Sequence, residues 1–211
     1  MAWRFFICLV ATYARSHRGT HDMKTVSPQK AAEVVREGGV ALVPTETVVG
    51  LVCAEAGLPK ARKIKGRDAD KPIALLCRNS GEAFGFAGET PPLAAKLAEE
   101  YWPGPLTLVL SAKDGGSVGV RVPEGAVREV LEAYGGPLYG TSANLSGENA
   151  PESLESVDAR IIEAVDVVVG GEVGNGVASA VVDLSKNEPR LLRPGGSLTE
   201  ARLRGMASEI G

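Results

Sequence analysis

Leu138-Tyr139-Gly140-Thr141-Ser142-Ala143-Asn144-Leu145-Ser146-Gly147 carries a short apolar run into a cluster of small polar residues. Thr141, Ser142, Asn144 and Ser146 supply three hydroxyls and one amide, groups that both donate and accept hydrogen bonds. None is charged, so the segment can lie against an anion or a zwitterion without neutralising it. Ser, Thr, Asn and Gly are also ordinary turn residues, and taken alone the stretch reads as a polar strand-to-helix turn. The surrounding chain decides between these readings.

Upstream, Glu124 to Tyr134 reads as a helix, and Gly135-Gly136-Pro137 returns the chain to the quoted stretch. Val118 to Val122 reads as a strand carrying Arg121, ended by Pro123. An arginine in an apolar strand is costly unless an anion or carboxylate meets it. Trp102-Pro103-Gly104-Pro105 makes a rigid corner between an amphipathic helix, Pro91 to Tyr101, and a strand, Leu106 to Leu110. Before these, 58–66 reads as a short helix leading into Lys65-Gly66-Arg67, and Lys71-Pro72 opens a strand from Ile73 to Cys77. From Lys60 to Lys71 six basic residues face two acidic ones, a local reversal in a chain of net charge −3. A charge run of this kind is usually a solvated helix face. The functional alternative is an exposed phosphate clamp, with Lys65 as a point charge and Arg67 as a fork.

Nearer the start, Ser27-Pro28 opens a helix that Gly38-Gly39 ends. Val40 to Val43 is then a buried strand stopped by Pro44, and Thr45-Glu46-Thr47 follows at its C-terminal end, where α/β proteins place binding groups. Val48 to Ala54 is again apolar. Downstream lie a helix near Ser153 to Glu163, a strand Val167 to Val169, a glycine-rich loop, and strands Ser179 to Leu184 and Arg190 to Arg193. Thr199 caps a last helix from Glu200 to Ile210. The pattern predicts one α/β domain with a mixed sheet over residues 23–211.

With 44% hydrophobic and 23% charged residues, the chain has apolar material for a full core without disulfides or a structural metal. Cys8, Cys53 and Cys77 form no zinc or redox pair, and Cys53 and Cys77 read as small buried hydrophobes. A reducing cytoplasm fits such cysteines. Both histidines, His17 and His21, precede Met23, so histidine-based catalysis and metal ligation are not expected in the domain. The candidate site set is therefore Thr45, Lys65, Arg67, Arg121, Ser142, Asn144, Ser179 and Arg193. Four cations and several neutral hydrogen-bonding groups, gathered on one sheet edge, suit a polyphosphate together with a small polar substrate. The chain carries neither a P-loop nor a dinucleotide fingerprint.

The ordered set Pro44-Thr-Glu-Thr-Val-Val-Gly-Leu51, Lys65-Gly-Arg67, Lys71-Pro72, Trp102-Pro-Gly-Pro-Leu-Thr107, Arg121-x-Pro123, Thr141-Ser-Ala-Asn-x-Ser-Gly147, Ser179-Ala-Val-Val-Asp183 and Leu192-Arg-Pro-Gly195 resembles the YrdC/TsaC family of threonylcarbamoyladenylate synthases. The resemblance covers about residues 27–196 and matches the short, single-domain form. It implies a YrdC-like twisted mixed β-sheet flanked by helices around a positively lined cavity. It also implies that L-threonine, bicarbonate or CO2, and ATP give threonylcarbamoyl-AMP and pyrophosphate, which partner proteins use for t6A modification of tRNA. Lys65 and Arg67 would be the catalytic cations. With Arg121, Ser142, Asn144 and Arg193 they would hold the nucleotide, and Thr45 and Ser179 would contact the threonine. Magnesium would be held mainly by the substrate's phosphates, with no protein metal site and no membrane association. Val49 and Ala180 depart from the family pattern. Both are expected to border the amino-acid pocket and, being small, to give only a modest preference for threonine over serine. Two other readings attach to the same family and fold: a double-stranded RNA-binding module without chemistry, and a carbamoyl-phosphate-using domain of the hydrogenase-maturation type.

Residues 1–22 differ from the rest in composition, with Trp3, Phe5, Phe6 and Tyr13 among few acidic groups. Their apolar run is too short to span a membrane. The segment reads as a weak signal or transit segment, or as sequence upstream of a natural start at Met23, the reading favoured here. A chain beginning at Met23 is expected to be soluble, folded and as active as the full chain. Loss of folding on that truncation, read by circular dichroism, would place Phe5 to Val10 in the core.

Overall fold

Val40–Pro44 and Val49–Cys53 are apolar along their whole length, and every residue of both is buried. Unbroken apolar runs of this kind mark strands covered on both faces. The structure, a computed structural model, describes residues 24–66 and 72–210. The expectations for residues 1–22, and the candidate Arg67 with Lys71, lie outside the described residues.

In chain order the elements are β1 (Thr25–Val26), α1 (Pro28–Arg36), β2 (Val40–Pro44), β3 (Val49–Cys53), α2 (Leu58–Ile64), β4 (Ala74–Leu76), α3 (Ser80–Phe84) and α4 (Pro92–Tyr101). There follow β5 (Leu106–Ser111), β6 (Ser117–Arg121), α5 (Ala126–Tyr134), β7 (Leu138–Ser142), α6 (Ala159–Ala164), β8 (Val167–Val169), β9 (Ala180–Asp183), β10 (Arg190–Arg193) and α7 (Glu200–Ser208). Among the described residues the strands form one mixed sheet in the order β1-β8-β2-β3-β7-β4-β6-β5-β9-β10. The α/β mixed-sheet expectation is met.

Side-chain alternation along the strands sorts the core. In β2, Ala41 and Val43 pack with α1 and α5, while Val40 and Leu42 pack on the opposite face with α2 and α6. The other half of the sheet is covered differently. Leu106, Leu108 and Leu110 of β5, Val120 of β6, and Ala180 and Val182 of β9 pack against α4 and α7. Their neighbours of opposite parity therefore face the other way, and these form the wall of a cavity.

Local chemistry sets most boundaries. The Ser27 hydroxyl accepts from Lys30 N at 3.3 Å and starts α1. The helix expected near Ser153 to Glu163 is two pieces, a 3-10 turn at Leu154–Ser156 and then α6. Ser153 and Ser156 cap each other reciprocally, and the Asp158 carboxylate then accepts from Arg160 N at 2.8 Å to begin a new helix. Two N-caps so close together break one helix into two. β1 has no counterpart in the sequence reading, because two residues are too few to show a period.

Pairing places the loops. Pro44 pairs with Val49 across the β2–β3 turn, and Gly50 pairs with Ser142 of β7, so the Thr45–Val48 turn sits beside the polar end of β7. The glycine-rich loop after β8 lies over that turn: Gly174 N donates to Thr45 O at 3.0 Å and Gly176 N to Thr47 O at 2.9 Å. A Cβ on Gly174 would fall 1.8 Å from the Glu46 carbonyl oxygen. Gly174→Ala is accordingly expected to cost about 1–3 kcal/mol, the scale of overpacking a filled site. Gly205, inside α7 with nothing within 4 Å of an added Cβ, is the control. Gly205→Ala is expected to stabilise by about 0.5–1 kcal/mol. Urea denaturation compares the two, and equal stabilities would contradict the packing of the loop on the turn.

Candidate functional site

A cavity of about 390 Å³ opens on the face carried by β3, β7, β4, β6, β5, β9 and β10, which are consecutive in the sheet. Thr107 and Val109 of β5, Ser117, Gly119 and Arg121 of β6, and Val181 of β9 line it, all of opposite parity to the core positions beside them. Thr45 and Thr47 come from the β2–β3 turn, Thr141 and Ser142 from the end of β7, and Arg193 from the end of β10. The volume is of the size that holds small-molecule ligands.

Lys65 follows α2 and is 3% exposed. Its ammonium donates to Ser142 O at 2.5 Å, Asn144 O at 2.8 Å and Asn144 Oδ1 at 3.3 Å. Ser146 N donates back to Lys65 O at 3.1 Å. Asn144 completes the knot: its Oδ1 also accepts from Ser142 Oγ, and its Nδ2 donates to Leu145 O and Glu148 O. Each polar group of the part-buried Asn144 side chain is thus used. The stretch from Ser142 to Ser146 is held as a rigid loop around a buried cation, and no helix follows it directly.

Arg121 sits at the end of β6 and is 8% exposed. Its Nε donates to Gly104 O at 3.2 Å, in the Trp102–Pro105 corner, and its Nη2 to Thr47 Oγ1 at 3.1 Å and Glu46 Oε1 at 2.5 Å. The carboxylate that its apolar strand demands is therefore Glu46. Thr45 organises the same turn, with its hydroxyl donating to Val48 O at 2.7 Å and accepting from Thr47 N and Val48 N. Across the cavity Ser179 Oγ lies 3.0 Å from Thr107 Oγ1 and accepts from Arg193 Nη2 at 3.1 Å, while Arg193 Nε donates to Ser179 O at 2.9 Å. Burial, and then the like charge of Arg121, push the Arg193 guanidinium below its ordinary value. Two guanidiniums that oppose each other's charge in a part-buried space favour an anion between them.

Seven of the eight candidates, Thr45, Lys65, Arg121, Ser142, Asn144, Ser179 and Arg193, line this one cavity. They do so on a sheet face rather than along an edge. Lys65 is buried, not exposed as expected, because its ammonium is the centre of the loop. Val49 and Ala180 do not border the cavity: Val49 packs with Leu42, Ala143 and Leu154, and Ala180 with Leu108 and Val182. Strand parity turns both away, while their neighbours Gly50, Ser179 and Val181 line the wall. Glu46, Thr47 and Thr107 belong to the site but were not singled out. Their signal was their place inside the motifs that carry Thr45 and the Trp102 corner. Cys53 and Cys77 take no part, since burial pushes both thiols up to about 12. Among the described residues no group of three or more His, Cys, Asp or Glu could hold a metal ion. No helix among them is long and apolar enough to cross a membrane.

Removing the Lys65 ammonium should loosen the loop as well as weaken ligand binding. Lys65→Met is expected to lower stability by about 1.5–3 kcal/mol, the scale of losing hydrogen bonds to a charged group. It should also speed hydrogen exchange of the 142–148 amides. Unchanged exchange there would show that the loop does not depend on Lys65.

The Sua5/YciO/YrdC family model, described as telomere recombination, matches residues 33–195. The threonylcarbamoyl-AMP synthase of Pyrococcus abyssi is 37% identical over 79% of this chain and 53% of its own length. That of Bacillus subtilis is 35% identical over 86% of this chain and 57% of its own. The chain thus spans about half the length of these two curated relatives. The crystal structure of P. abyssi Sua5 complexed with L-threonine superposes with a TM-score of 0.79 at 34% identity, covering 87% of this chain and 58% of that one. With the family's motifs in order along the sequence and their polar residues converging on one cavity, the chain belongs to the Sua5/YciO/YrdC family.

Proposed function

We propose that this chain forms threonylcarbamoyl-AMP and pyrophosphate from L-threonine, bicarbonate or CO2, and ATP. The observation that carries the reading is the convergence of Lys65, Arg121 and Arg193 with hydroxyl and amide groups on one cavity. Relatives named for this reaction, and the L-threonine in the P. abyssi complex, support the choice of substrates. The threonine amine adds to CO2, loses a proton and becomes an N-carboxylate. That carboxylate attacks the α-phosphorus of ATP, and the bond to pyrophosphate breaks. Such chemistry needs two anions held together and a charged leaving group stabilised, which fixed cations supply. Lys65 and Arg67 are assigned the catalytic charge stabilisation, and Ser142, Asn144 and Arg193 the nucleotide. Thr45 and Ser179 are assigned the threonine. Arg121, expected among the phosphate-holding residues, is assigned the threonine carboxylate, because its pairing with Glu46 suits one negative charge better than several. The wall that would distinguish threonine from serine falls to Thr47 and Val181, given that Val49 and Ala180 are core residues.

Magnesium is assigned to the phosphate oxygens of ATP. The cavity's own side-chain oxygen donors are hydroxyls and an amide, with no carboxylate among the lining residues, a set that does not fit a protein-held magnesium ion. The product would pass to partner proteins that carry out t6A transfer on tRNA in the cytoplasm, and residues 1–22 would be dispensable to it. Incubating the protein with ATP, L-threonine, bicarbonate and magnesium is expected to yield threonylcarbamoyl-AMP, identified by mass spectrometry, with an equal amount of pyrophosphate. Absence of both products, with tight salt-sensitive binding of double-stranded RNA, would replace this reading with the RNA-binding one.

A further inference from the structure

Arg121 lines the cavity and is ion-paired with Glu46, whose own side chain is not among the lining residues. The geometry of the pair is incomplete on both sides. Glu46 uses only Oε1, and its Oε2 is buried with no hydrogen-bond partner. Arg121 is fixed through Nε and Nη2, and its Nη1 makes no hydrogen bond among the described residues. Arg193 is different: among the described residues it bonds the carbonyl and hydroxyl of Ser179.

We propose that Glu46, acting through Arg121, is a specificity-determining residue that makes this end of the cavity take a zwitterionic amino acid in preference to a plain carboxylate or a phosphate. The inference rests on the amino-acid reading of the site given above. A ligand carboxylate reaching the open Nη1 meets a guanidinium whose charge is already half answered. In a part-buried site the Glu46 charge is poorly screened, so a second bare carboxylate on the same guanidinium is repelled. A phosphate, with more charge, is repelled further. An α-amino acid carries its ammonium one carbon from its carboxylate and brings no net charge. The dipole of the ligand then lies against the dipole of the pair. The phosphates of a second substrate are left to the Lys65 and Arg193 sides of the cavity.

The test is binding calorimetry of L-threonine and of 3-hydroxybutyrate, which is threonine without its amine, to the full chain and to Glu46→Gln. The unsubstituted protein is expected to bind threonine at least about tenfold more tightly, the scale of one charge-assisted hydrogen bond. Glu46→Gln should weaken threonine and strengthen 3-hydroxybutyrate, bringing the ratio to near unity. Glu46→Asp, which keeps the charge, should retain the preference. A structural role alone would weaken both ligands alike. An unchanged ratio in Glu46→Gln, or parallel weakening of both ligands, overturns the inference and leaves the synthase reading intact. If Glu46→Gln does not fold, the unsubstituted protein still decides: equal affinity for the two ligands overturns the inference. Failure to bind threonine at all removes the amino-acid reading itself.

Discussion

The pleat of β5, β6 and β9 fixes both halves of this molecule at once. Residues 106, 108, 110, 120, 180 and 182 seal the core against α4 and α7. Residues 107, 109, 119, 121 and 181 of the same strands then have to face the other way, and there they meet the β2–β3 turn and the end of β7. The cavity is thus the reverse side of the core that the sheet forms with α4 and α7. Shifting β6 by one residue would turn Arg121 from the cavity into the apolar core, and shifting β5 would turn its leucines onto the cavity wall. Hydrophobic packing therefore keeps the cavity cations in register.

Those cations are tolerated because each is met differently. Lys65 is wrapped by carbonyl oxygens and an amide oxygen of the 142–144 segment. Arg121 is met by Glu46, Thr47 and the Gly104 carbonyl. Arg193 rests on Ser179 and is opposed by Arg121. Lys65, Arg121 and Arg193 together give the cavity wall a positive bias that an anionic ligand can satisfy. Charges gathered in a cleft in this way mark places where ligands bind. Family membership and this electrostatic bias point to the same chemistry by separate routes.

The sequence carried most of this, and the misses share a cause. Capping residues and prolines marked the starts of α1 and α7, and apolar runs marked β2 and β3. Arg121 was legible as a residue needing a partner, but Glu46 as that partner was not, because the two lie far apart in the chain and meet only once β6 and the β2–β3 turn come together. Val49 and Ala180 were assigned to the cavity by their position in motifs. The alternation of Val49 with Gly50, and of Ala180 with Ser179 and Val181, would have turned them inward. Lys65 read as exposed because its neighbours are charged. Its burial comes from a loop nearly eighty residues away in the chain, whose carbonyl oxygens no local pattern reveals.

The claim on which the account stands is that one cavity, on the sheet face opposite α4 and α7, holds nucleotide and amino acid together. A crystal structure of the protein with L-threonine and a non-hydrolysable ATP analogue tests it most directly. The account predicts both ligands in that cavity, with phosphates on the Lys65 and Arg193 sides and the amino acid against Arg121 and Thr45. Either ligand bound elsewhere, or the amino acid lying against Lys65 with the phosphates on Arg121, would contradict it.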